Sequence, residues 1–551
     1  MQNRTIILLI LGVAALFFLP FLGGVHLFDW DEINFAEISR EMIVLEDYLR
    51  LHINFQPFWE KPPLFFWLQV LAMKAFGIGE YAARLPNAIA GMVSLVVLFL
   101  IGNRLFNRRF GLLWALAYFG SVLPHLYFKS GIIDPWFNLF IFLGMYFFIL
   151  FYWRRKEITQ VKEHKGLLLF LSGVFIGLAI LTKGPVGYLI PLLAWGVYWI
   201  MKKFRFYVSI PQFVILTLVA IGITLFWFGP ETIKNGTWFV ETFTTYQIRL
   251  FSTQDAGHGG FPGYHFVVLL LGCFPASVFA IRGFYKMKPD MAHQQNFRTW
   301  MIILFWVVLI LFTIVQSKIV HYSSLAYFPL TFLAALTLDR LIDKKIAFGV
   351  GLKAGLFVIG SLYGLITLVL PFIGRNIEAI KPLFSNDPFA MANLEAHVNW
   401  TGWEALPGVL ISGTLIWFGY FVKKDKIVRG ITVLFVSTAI FVNLTLIFFI
   451  ARIEMYSQHA AIEFCENLQG KDCYVITSGY KSYVQYFYPR IQPYENNKYT
   501  EKKWLLTGDI DKEVYILTKV HRAHELDKYK DIERIGSRNG FVFFRRNPPS
   551  R

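Results

Sequence analysis

The sequence predicts a polytopic α-helical membrane protein of about 13 transmembrane helices, with a small soluble α/β domain at its C-terminal end. Of the 551 residues, 56% are hydrophobic and only 16% are charged, a balance more apolar than that of soluble domains. The apolar residues are concentrated in runs of about 17–25 residues, the length that crosses a hydrocarbon core of roughly 30 Å. After residue 451 the apolar runs become short and alternate with helical patterns, which is typical of an α/β domain.

Thirteen apolar runs are long enough to be transmembrane helices. No small-residue cleavage site follows the first run, so we interpret it as a retained signal anchor. The runs lie at 5–24, 86–106, 110–128, 132–153, 167–182, 185–201, 208–229, 263–282, 300–317, 322–340, 346–371, 405–422 and 430–451.

The distribution of Lys and Arg predicts how these helices are oriented. Basic residues cluster in alternate loops, and such loops are normally cytoplasmic. The basic loops are 104–109, 154–165, 202–205, 282–298, 340–345 and 423–429. The N-terminus is therefore expected in the cytoplasm, and the opposite side receives loops 25–85 and 230–262 and the C-terminal tail. Because this pattern accounts for the net charge of +17, we predict no nucleic-acid partner.

The first loop, residues 25–85, is too long for a plain connector. Two periodic apolar stretches within it, 33–45 and 64–76, predict amphipathic helices that lie in the membrane interface. We therefore divide the chain into a transmembrane domain, 1–451, which includes this loop, and a periplasmic α/β domain, 452–551.

Carboxylates beside the outer ends of spans are the first candidates for catalysis. Asp31 and Glu32 follow the first apolar run, and partial burial raises the pKa of a carboxylate toward the value that a general base needs. A solvated helix start is the alternative. Asp134 lies near the outer end of another span, where an acidic residue is costly unless it has a task or a partner. Its alternative role is a helix cap.

Candidate phosphate-binding groups lie on the same side. Lys61 precedes two prolines that fit the first turn of a helix, where a lysine and free N–H groups can bind an anion together. Lys183 lies in a tight turn between two spans, and Lys318, His321 and Tyr322 lie between two others. Snorkelling of Lys61, a plain turn lysine and an aromatic interface anchor are the respective alternatives.

Loop 230–262 adds a further cation and a histidine. Arg249 can clamp an anionic leaving group, and the glycines around His258 indicate a mobile lid. His258 and Glu60 are candidate ligands of a divalent metal, with a solvated histidine as the alternative, and no other cofactor is indicated. The three cysteines have no metal-ligand spacing, and whether Cys465 and Cys473 form a disulfide stays open.

Carboxylates and cations at one membrane face suit a reaction between a phosphate-bearing lipid and a nucleophilic acceptor. A base activates the acceptor, and the cations stabilise the phosphate as it leaves. A transporter is expected to carry polar sites near the bilayer midplane and internal repeats, and neither is evident. A flippase for lipid-linked sugars, a polysaccharide ligase, and a scaffold whose tail binds envelope partners remain alternatives.

Several motifs together resemble one family of membrane enzymes. The motifs are Asp31-Glu32 continuing through Ala36-Glu37-Ile38-Ser39-Arg40-Glu41-Met42, Trp59-Glu60-Lys61-Pro62-Pro63-Leu64, Arg84-Leu85-Pro86, Leu181-Thr182-Lys183-Gly184-Pro185, and Ser317-Lys318 to Tyr322. In this order the chain resembles the bacterial aminoarabinose lipid A transferases. These belong to the protein O-mannosyltransferase-related membrane glycosyltransferases of the GT-C fold. The resemblance covers the transmembrane region.

The resemblance implies an inverting transfer of a sugar from a polyprenyl-phosphate donor, typically undecaprenyl phosphate, at the periplasmic face of the bacterial inner membrane. The implied acceptor is lipid A, another envelope glycan or a protein. Asp31 matches an acidic residue that acts as the base or orients the acceptor, and Asp134 matches a second acidic residue. Lys61, Tyr322 and Arg249 match groups that contact the lipid phosphate.

The same resemblance implies that Glu60 can face a metal near the site. The chain departs from the family at two places. Asn34-Phe35 replaces the usual Arg-Tyr, and the expected histidine before Arg249 is absent from Thr244-Thr245-Tyr246-Gln247. The sugar and the acceptor therefore stay open.

Overall fold

The computed structural model describes residues 2–252, 259–285 and 291–549. Nine helices are each long and apolar enough to cross a membrane: Glu80–Leu105, Asp134–Lys156, Lys165–Lys183, Ile210–Asn235, Ala292–Ile314, Val320–Ile342, Val350–Arg375, Trp403–Lys423 and Ile427–Met455. Two further spans are bent pairs, Arg108–Phe119 with Val122–Lys129 (81°) and Tyr264–Gly272 with Ala276–Phe284 (116°). These counts refer to the described residues, and they make the chain a multi-pass membrane protein.

Two shorter apolar helices complete the correspondence with the predicted spans. Asn3–Phe18 and Val186–Met201 have 16 residues each and lie where runs 5–24 and 185–201 predict spans. Each of the thirteen predicted runs thus coincides with a helix or a bent helix pair. By length alone only nine to eleven are long enough to cross, because these two helices fall short of a full bilayer core.

The first loop contains two helices, Asp31–Val44 and Leu64–Phe76, and a short antiparallel hairpin of β1, His52–Ile53, and β2, Gln56–Pro57. Both helices coincide with the predicted ones. Asp31–Val44 is buried on every side from Glu32 to Met42, more deeply than its amphipathic pattern predicts. The reason is that the C-terminal domain covers the side that faces away from the membrane helices.

The C-terminal domain is a four-stranded sheet with helices beside it. The strands are β3, Cys473–Ser478, β4, Glu513–Lys519, β5, Ile532–Arg538, and β6, Phe541–Arg546, in the order β3-β4-β6-β5. β3 and β4 are parallel and the other pairs are antiparallel. Helices His459–Glu466, Val484–Phe487 and Lys502–Thr507 accompany them. The predicted α/β domain is confirmed.

The last hairpin turns at Asn539-Gly540, as predicted. Both residues have positive φ, 44° and 80°, which Asn and Gly adopt most easily. Cys465 and Cys473 are free and buried. The domain boundary at 451/452 stays a prediction, since helix Ile427–Met455 runs across it.

The C-terminal domain is fixed to the first loop by hydrogen bonds that are buried or partly buried. The backbone N–H of Leu27 donates to Tyr488 Oη at 2.7 Å, and Gln458 Nε2 donates to the carbonyl of Leu27 at 2.7 Å. Arg40 donates to the carbonyl of Ile491 at 2.9 Å. Because the first loop carries Asp31, this docking brings the domain to the candidate site.

Candidate active site

A cavity of about 540 Å³ lies where the first loop, the ends of several membrane helices and the C-terminal domain meet. Its lining includes eight of the predicted site residues: Asp31, Glu32, Glu60, Lys61, Asp134, Lys183, His321 and Tyr322. The sequence separates these residues by up to 291 positions (322 − 31), so their convergence follows from the fold and not from any local motif.

His321 joins two of the carboxylates. Its Nε2 atom lies 3.4 Å from Asp31 Oδ2 and 3.7 Å from Asp134 Oδ2. The Asp31 side chain is 43% exposed, whereas that of Asp134 is 3% exposed. Asp31 is therefore the carboxylate that an incoming molecule can reach, and His321 holds it beside the buried one. The sequence predicts His321 as one of several phosphate-binding groups, because it lies next to Tyr322 at the end of a span. It does not predict the contact with the two carboxylates.

Asp134 and Lys183 form a buried ion pair. Lys183 Nζ lies 2.6 Å from Asp134 Oδ1 and 5.0 Å from the ring centroid of Tyr322. Asp134 begins one membrane helix and Lys183 ends the next. Helix dipoles favour an acidic residue at the first position and a basic one at the last. The pair thus places a cation beside Tyr322 at the inner end of the cavity.

Lys61 supplies a second cation at the same end. Its Nζ lies 5.3 Å from the ring centroid of Tyr246, and Tyr246 donates its hydroxyl to Glu60 Oε2 at 3.2 Å. Burial lowers the pKa of Lys61, and the carboxylates of Glu60 and Asp31 oppose that shift. A partly desolvated lysine of this kind interacts strongly with an anion, because water screens it little.

A second, smaller cavity of about 70 Å³ adjoins the first. It shares Lys61, Asp134, Lys183 and Tyr322 with the larger one. Its remaining lining is mostly apolar. Phe137, Val186, Phe312 and Val315 come from membrane helices or their ends, and Gln247 adds one polar side chain from helix Trp238–Ser252. The shared cations and phenol therefore stand at the entrance of an apolar slot.

Two of the predicted cations do not line the cavity. Arg249 is exposed, and its guanidinium carbon lies 5.3 Å from the ring centroid of Tyr246, which places it at the rim. Lys318 is buried, and its Nζ donates to the carbonyls of Phe312, Thr313 and Val315 at 3.1, 2.7 and 2.5 Å. Lys318 thus caps the end of helix Ala292–Ile314, and the structure does not bring it to a phosphate site.

Glu32 lies beside the cavity but is fully engaged in a structural ion pair. Arg84 donates to both carboxylate oxygens at 3.0 and 2.8 Å, and the N–H groups of Phe28 and Gly131 donate at 3.0 and 2.5 Å. Burial raises the pKa of Glu32, but Arg84 and these N–H groups outweigh it and hold the pKa below its usual range. Glu32 therefore serves as a fixed anion that orders the loop, which argues against its predicted role as a base.

The C-terminal domain contributes Lys481 and Tyr483 to the cavity wall, and no sequence motif predicts either residue. Lys481 Nζ lies 4.6 Å from the ring centroid of Trp30. Ser482 donates to the carboxylate of Asp29, and the N–H of Tyr483 donates to Asp29 Oδ1 at 3.2 Å. Burial raises the pKa of Asp29 to about 6, although these hydrogen bonds oppose the shift.

The described surroundings of Glu60 do not form a metal site. His258 lies outside the described residues. Within the described part of the chain, no cluster of three His, Cys, Asp or Glu ligands includes Glu60, and Tyr246 already occupies its Oε2 atom. A phenol is not among the Cys, His and carboxylate ligands that zinc sites use, so the described residues do not complete a zinc site at Glu60.

Several known proteins are similar to this chain in sequence. Residues 60–227 match the family described as dolichyl-phosphate-mannose-protein mannosyltransferase. The undecaprenyl phosphate-alpha-4-amino-4-deoxy-L-arabinose arabinosyl transferase of Edwardsiella ictaluri is 26% identical over 60% of this chain and 59% of its own length. That of Pseudomonas fluorescens is 27% identical over 70% of this chain and 68% of its own length. The match thus spans about three fifths to two thirds of these relatives.

Two solved structures share the fold over almost the whole chain. ArnT from Cupriavidus metallidurans bound to undecaprenyl phosphate superimposes with a TM-score of 0.77 and 17% identity, covering 99% of this chain and 98% of that one. The apo state of the same protein gives a TM-score of 0.72 with 98% coverage of both chains. The GT-C fold and the resemblance to the aminoarabinose transferases, both predicted from the motifs, are confirmed.

Proposed function

We propose that this chain is a membrane glycosyltransferase that moves a sugar from a polyprenyl-phosphate donor, first of all undecaprenyl phosphate, to lipid A or another envelope acceptor. One observation carries the proposal: Lys61, Lys183 and Tyr322 stand between a polar cavity and an apolar slot. A lipid phosphate fits this arrangement, with cations for its charge and apolar side chains beside the start of its chain. The similarity to arabinosyl transferases supports the same donor class.

The residues support a single displacement. Asp31 accepts the proton of the acceptor's nucleophilic oxygen as that oxygen attacks the anomeric carbon of the sugar. The bond from this carbon to the phosphate oxygen breaks, and its electron pair remains on the leaving polyprenyl phosphate. Attack from the side opposite the phosphate inverts the configuration.

The other residues bind and position. Lys61 and Lys183 stabilise the negative charge that develops on the leaving phosphate, in a site with little water to screen them. Arg249 can reach the same phosphate from the rim. His321, which lies between the carboxylates of Asp31 and Asp134, holds Asp31 in place, and Glu32 with Arg84 fixes the loop that carries it.

We place the cavity on the periplasmic side of the bacterial inner membrane, with the N-terminus in the cytoplasm. The alternating basic loops favour this orientation. The C-terminal domain then lies in the periplasm, where Lys481 and Tyr483 border the space that an acceptor would enter. These two residues are thus the acceptor-side wall of the proposed site.

The proposal is tested by mass spectrometry of lipid A and envelope glycans from cells with and without the protein. A sugar mass that is present with the wild type and absent with Asp31→Asn supports it and identifies the substrates. Envelope glycans that are unchanged when the protein is removed contradict it. A flippase is distinguished in vitro, since it leaves the bond between the sugar and the lipid phosphate intact.

A further inference from the structure

A second cluster of ligating groups lies outside the active-site cavity. His26 follows the first helix, Glu454 lies in the last membrane helix, and His459 begins the first helix of the C-terminal domain. Their ligand atoms all lie within 4.8 Å of one another. Glu454 Oε1 is 2.5 Å from His26 Nδ1 and 3.3 Å from His459 Nδ1. The first loop and the junction between the last membrane helix and the C-terminal domain thus place three ligand atoms close together.

Each histidine has a second carboxylate on its other nitrogen. His26 Nε2 lies 3.6 Å from Glu466 Oε1, and His459 Nε2 lies 3.6 Å from Glu463 Oε2. Metal-bound histidines almost always face a carboxylate or carbonyl on the nitrogen that does not bind the metal. The negative charge of such a carboxylate favours the tautomer with the proton on Nε2, which leaves the lone pair of Nδ1 for the metal. The cluster therefore has the outer carboxylates of a metal site as well as its inner ligands.

The burial of the cluster suits a site that an ion can enter. The Glu454 side chain is 4% exposed, while His26 and His459 are 23% and 24% exposed. All three line a cavity of about 510 Å³, which Glu80 and His397 also border. An ion can reach the point between the ligands through this cavity, and water from it can complete the coordination.

We propose that His26, Glu454 and His459 bind a divalent transition-metal ion of the zinc type. Two imidazoles and one carboxylate form a ligand set that zinc uses in proteins, with water at the fourth position. The ion would replace the hydrogen bond between His26 and Glu454. This site is distinct from the Glu60 position and does not depend on the proposed reaction.

The ion would fasten the C-terminal domain to the membrane helices. Gln458, next to His459, already accepts from the N–H of Asp29 at 3.2 Å and donates to the carbonyl of Leu27 at 2.7 Å. A metal bound by His26 and His459 would connect the first loop to the C-terminal domain at the same place, with bonds much stronger than these hydrogen bonds. Because the loop continues directly to Asp31, the ion would also steady the cavity wall.

The test is zinc binding by the full-length protein in detergent. After EDTA treatment and desalting, ZnCl₂ is titrated calorimetrically and bound zinc is measured by mass spectrometry. We expect about one zinc ion for the wild type and for His524→Gln, an exposed histidine of the same domain, and none for His459→Gln or Glu454→Gln. Glu60→Gln is expected to keep the ion.

A milder variant distinguishes loss of zinc binding from loss of folding. Glu466→Gln keeps all three inner ligands, and removal of an outer partner typically weakens metal binding about 10- to 100-fold. Zinc is also expected to raise the melting temperature of the wild type and of His524→Gln, but not of His459→Gln. The proposal would be overturned by any of three results. These are a wild type that binds no zinc, equal zinc binding by all variants, and loss of zinc binding in Glu60→Gln alone.

Discussion

The carboxylates of Asp31 and Asp134, 103 positions apart in the sequence (134 − 31), converge on one imidazole nitrogen, His321 Nε2, at 3.4 and 3.7 Å. The two carboxylates have different surroundings. Asp134 is buried against Lys183, while Asp31 is open to the cavity. One imidazole thus links a reachable carboxylate to a fixed ion pair, which is how we expect the base to be oriented.

His321→Gln is expected to lower kcat by roughly 10- to 100-fold with little change in the KM of the donor, because a small displacement of a catalytic group is enough for such a loss. The measurement is the initial rate of sugar transfer at several donor concentrations. An unchanged kcat would show that Asp31 needs no support from His321. His524→Gln serves as the matched control.

Lys61 and Lys318, both predicted to bind phosphate, are expected to behave differently. Lys61→Met removes a cation from the shared entrance, so transfer should fall by roughly 100- to 1000-fold, as when one donor of an anion site is lost. Lys318→Met removes a cap of a helix end and should lower the melting temperature while leaving the donor KM unchanged. The measurement is the donor KM and kcat of both variants, together with thermal unfolding. Equal effects on transfer would contradict the assignment.

The ion pair of Glu32 with Arg84 should matter for stability. Both side chains are buried, at 8% and 5% exposure, and breaking a buried pair on one side typically costs about 3–5 kcal/mol. Glu32→Gln should therefore lower the melting temperature clearly. The control is Glu163→Gln, which breaks the exposed pair with Arg104 and should cost about 0–1 kcal/mol. The measurement is thermal unfolding in detergent, and similar shifts for both variants would argue against a structural role of Glu32.

The raised pKa of Asp29 predicts that the docking between the first loop and the C-terminal domain depends on pH. Its pKa is raised to about 6 in the folded protein, above the ordinary value of about 4. The folded state therefore binds more protons in this range, so the contribution of Asp29 to stability falls as pH rises from about 4 to 6. Asp29→Asn keeps an acceptor oxygen but does not titrate. Its melting temperature relative to wild type should increase between pH 4.5 and 7.5, and a constant difference would contradict the assignment.

The positions of the helices follow from the sequence because each apolar run must satisfy its backbone hydrogen bonds inside the membrane, and a helix does so locally. The turn at Asn539-Gly540 also follows from local sequence, because Asn and Gly adopt positive φ most easily. Pairings between distant segments do not follow in this way. Nothing local in Leu181-Thr182-Lys183 indicates that its lysine reaches Asp134, and no motif marks Lys481 or Tyr483 as part of the cavity wall.

The sequence also could not predict which of two neighbouring residues takes which role. Asp31 and Glu32 are adjacent at a helix start, yet successive side chains on a helix point about 100° apart. One therefore faces the cavity and the other faces Arg84. Lys318 likewise follows the end of a helix, and the direction of its long side chain toward free carbonyls depends on the last turn. Residue type alone identified the candidate catalytic and phosphate-binding residues. Their positions in the structure were needed to distinguish those that line the cavity from those with a structural role.

The most direct test of the account is transfer by the purified protein in lipid nanodiscs, with the undecaprenyl-phosphate-linked sugar and the acceptor that mass spectrometry of the envelope glycans identifies. Mass spectrometry follows both substrates for wild type, Asp31→Asn and the exposed control Asp509→Asn. We predict that donor loss and acceptor gain match one to one, and that Asp31→Asn slows both by roughly 100- to 10,000-fold without a change in melting temperature. Full transfer by Asp31→Asn would contradict the account.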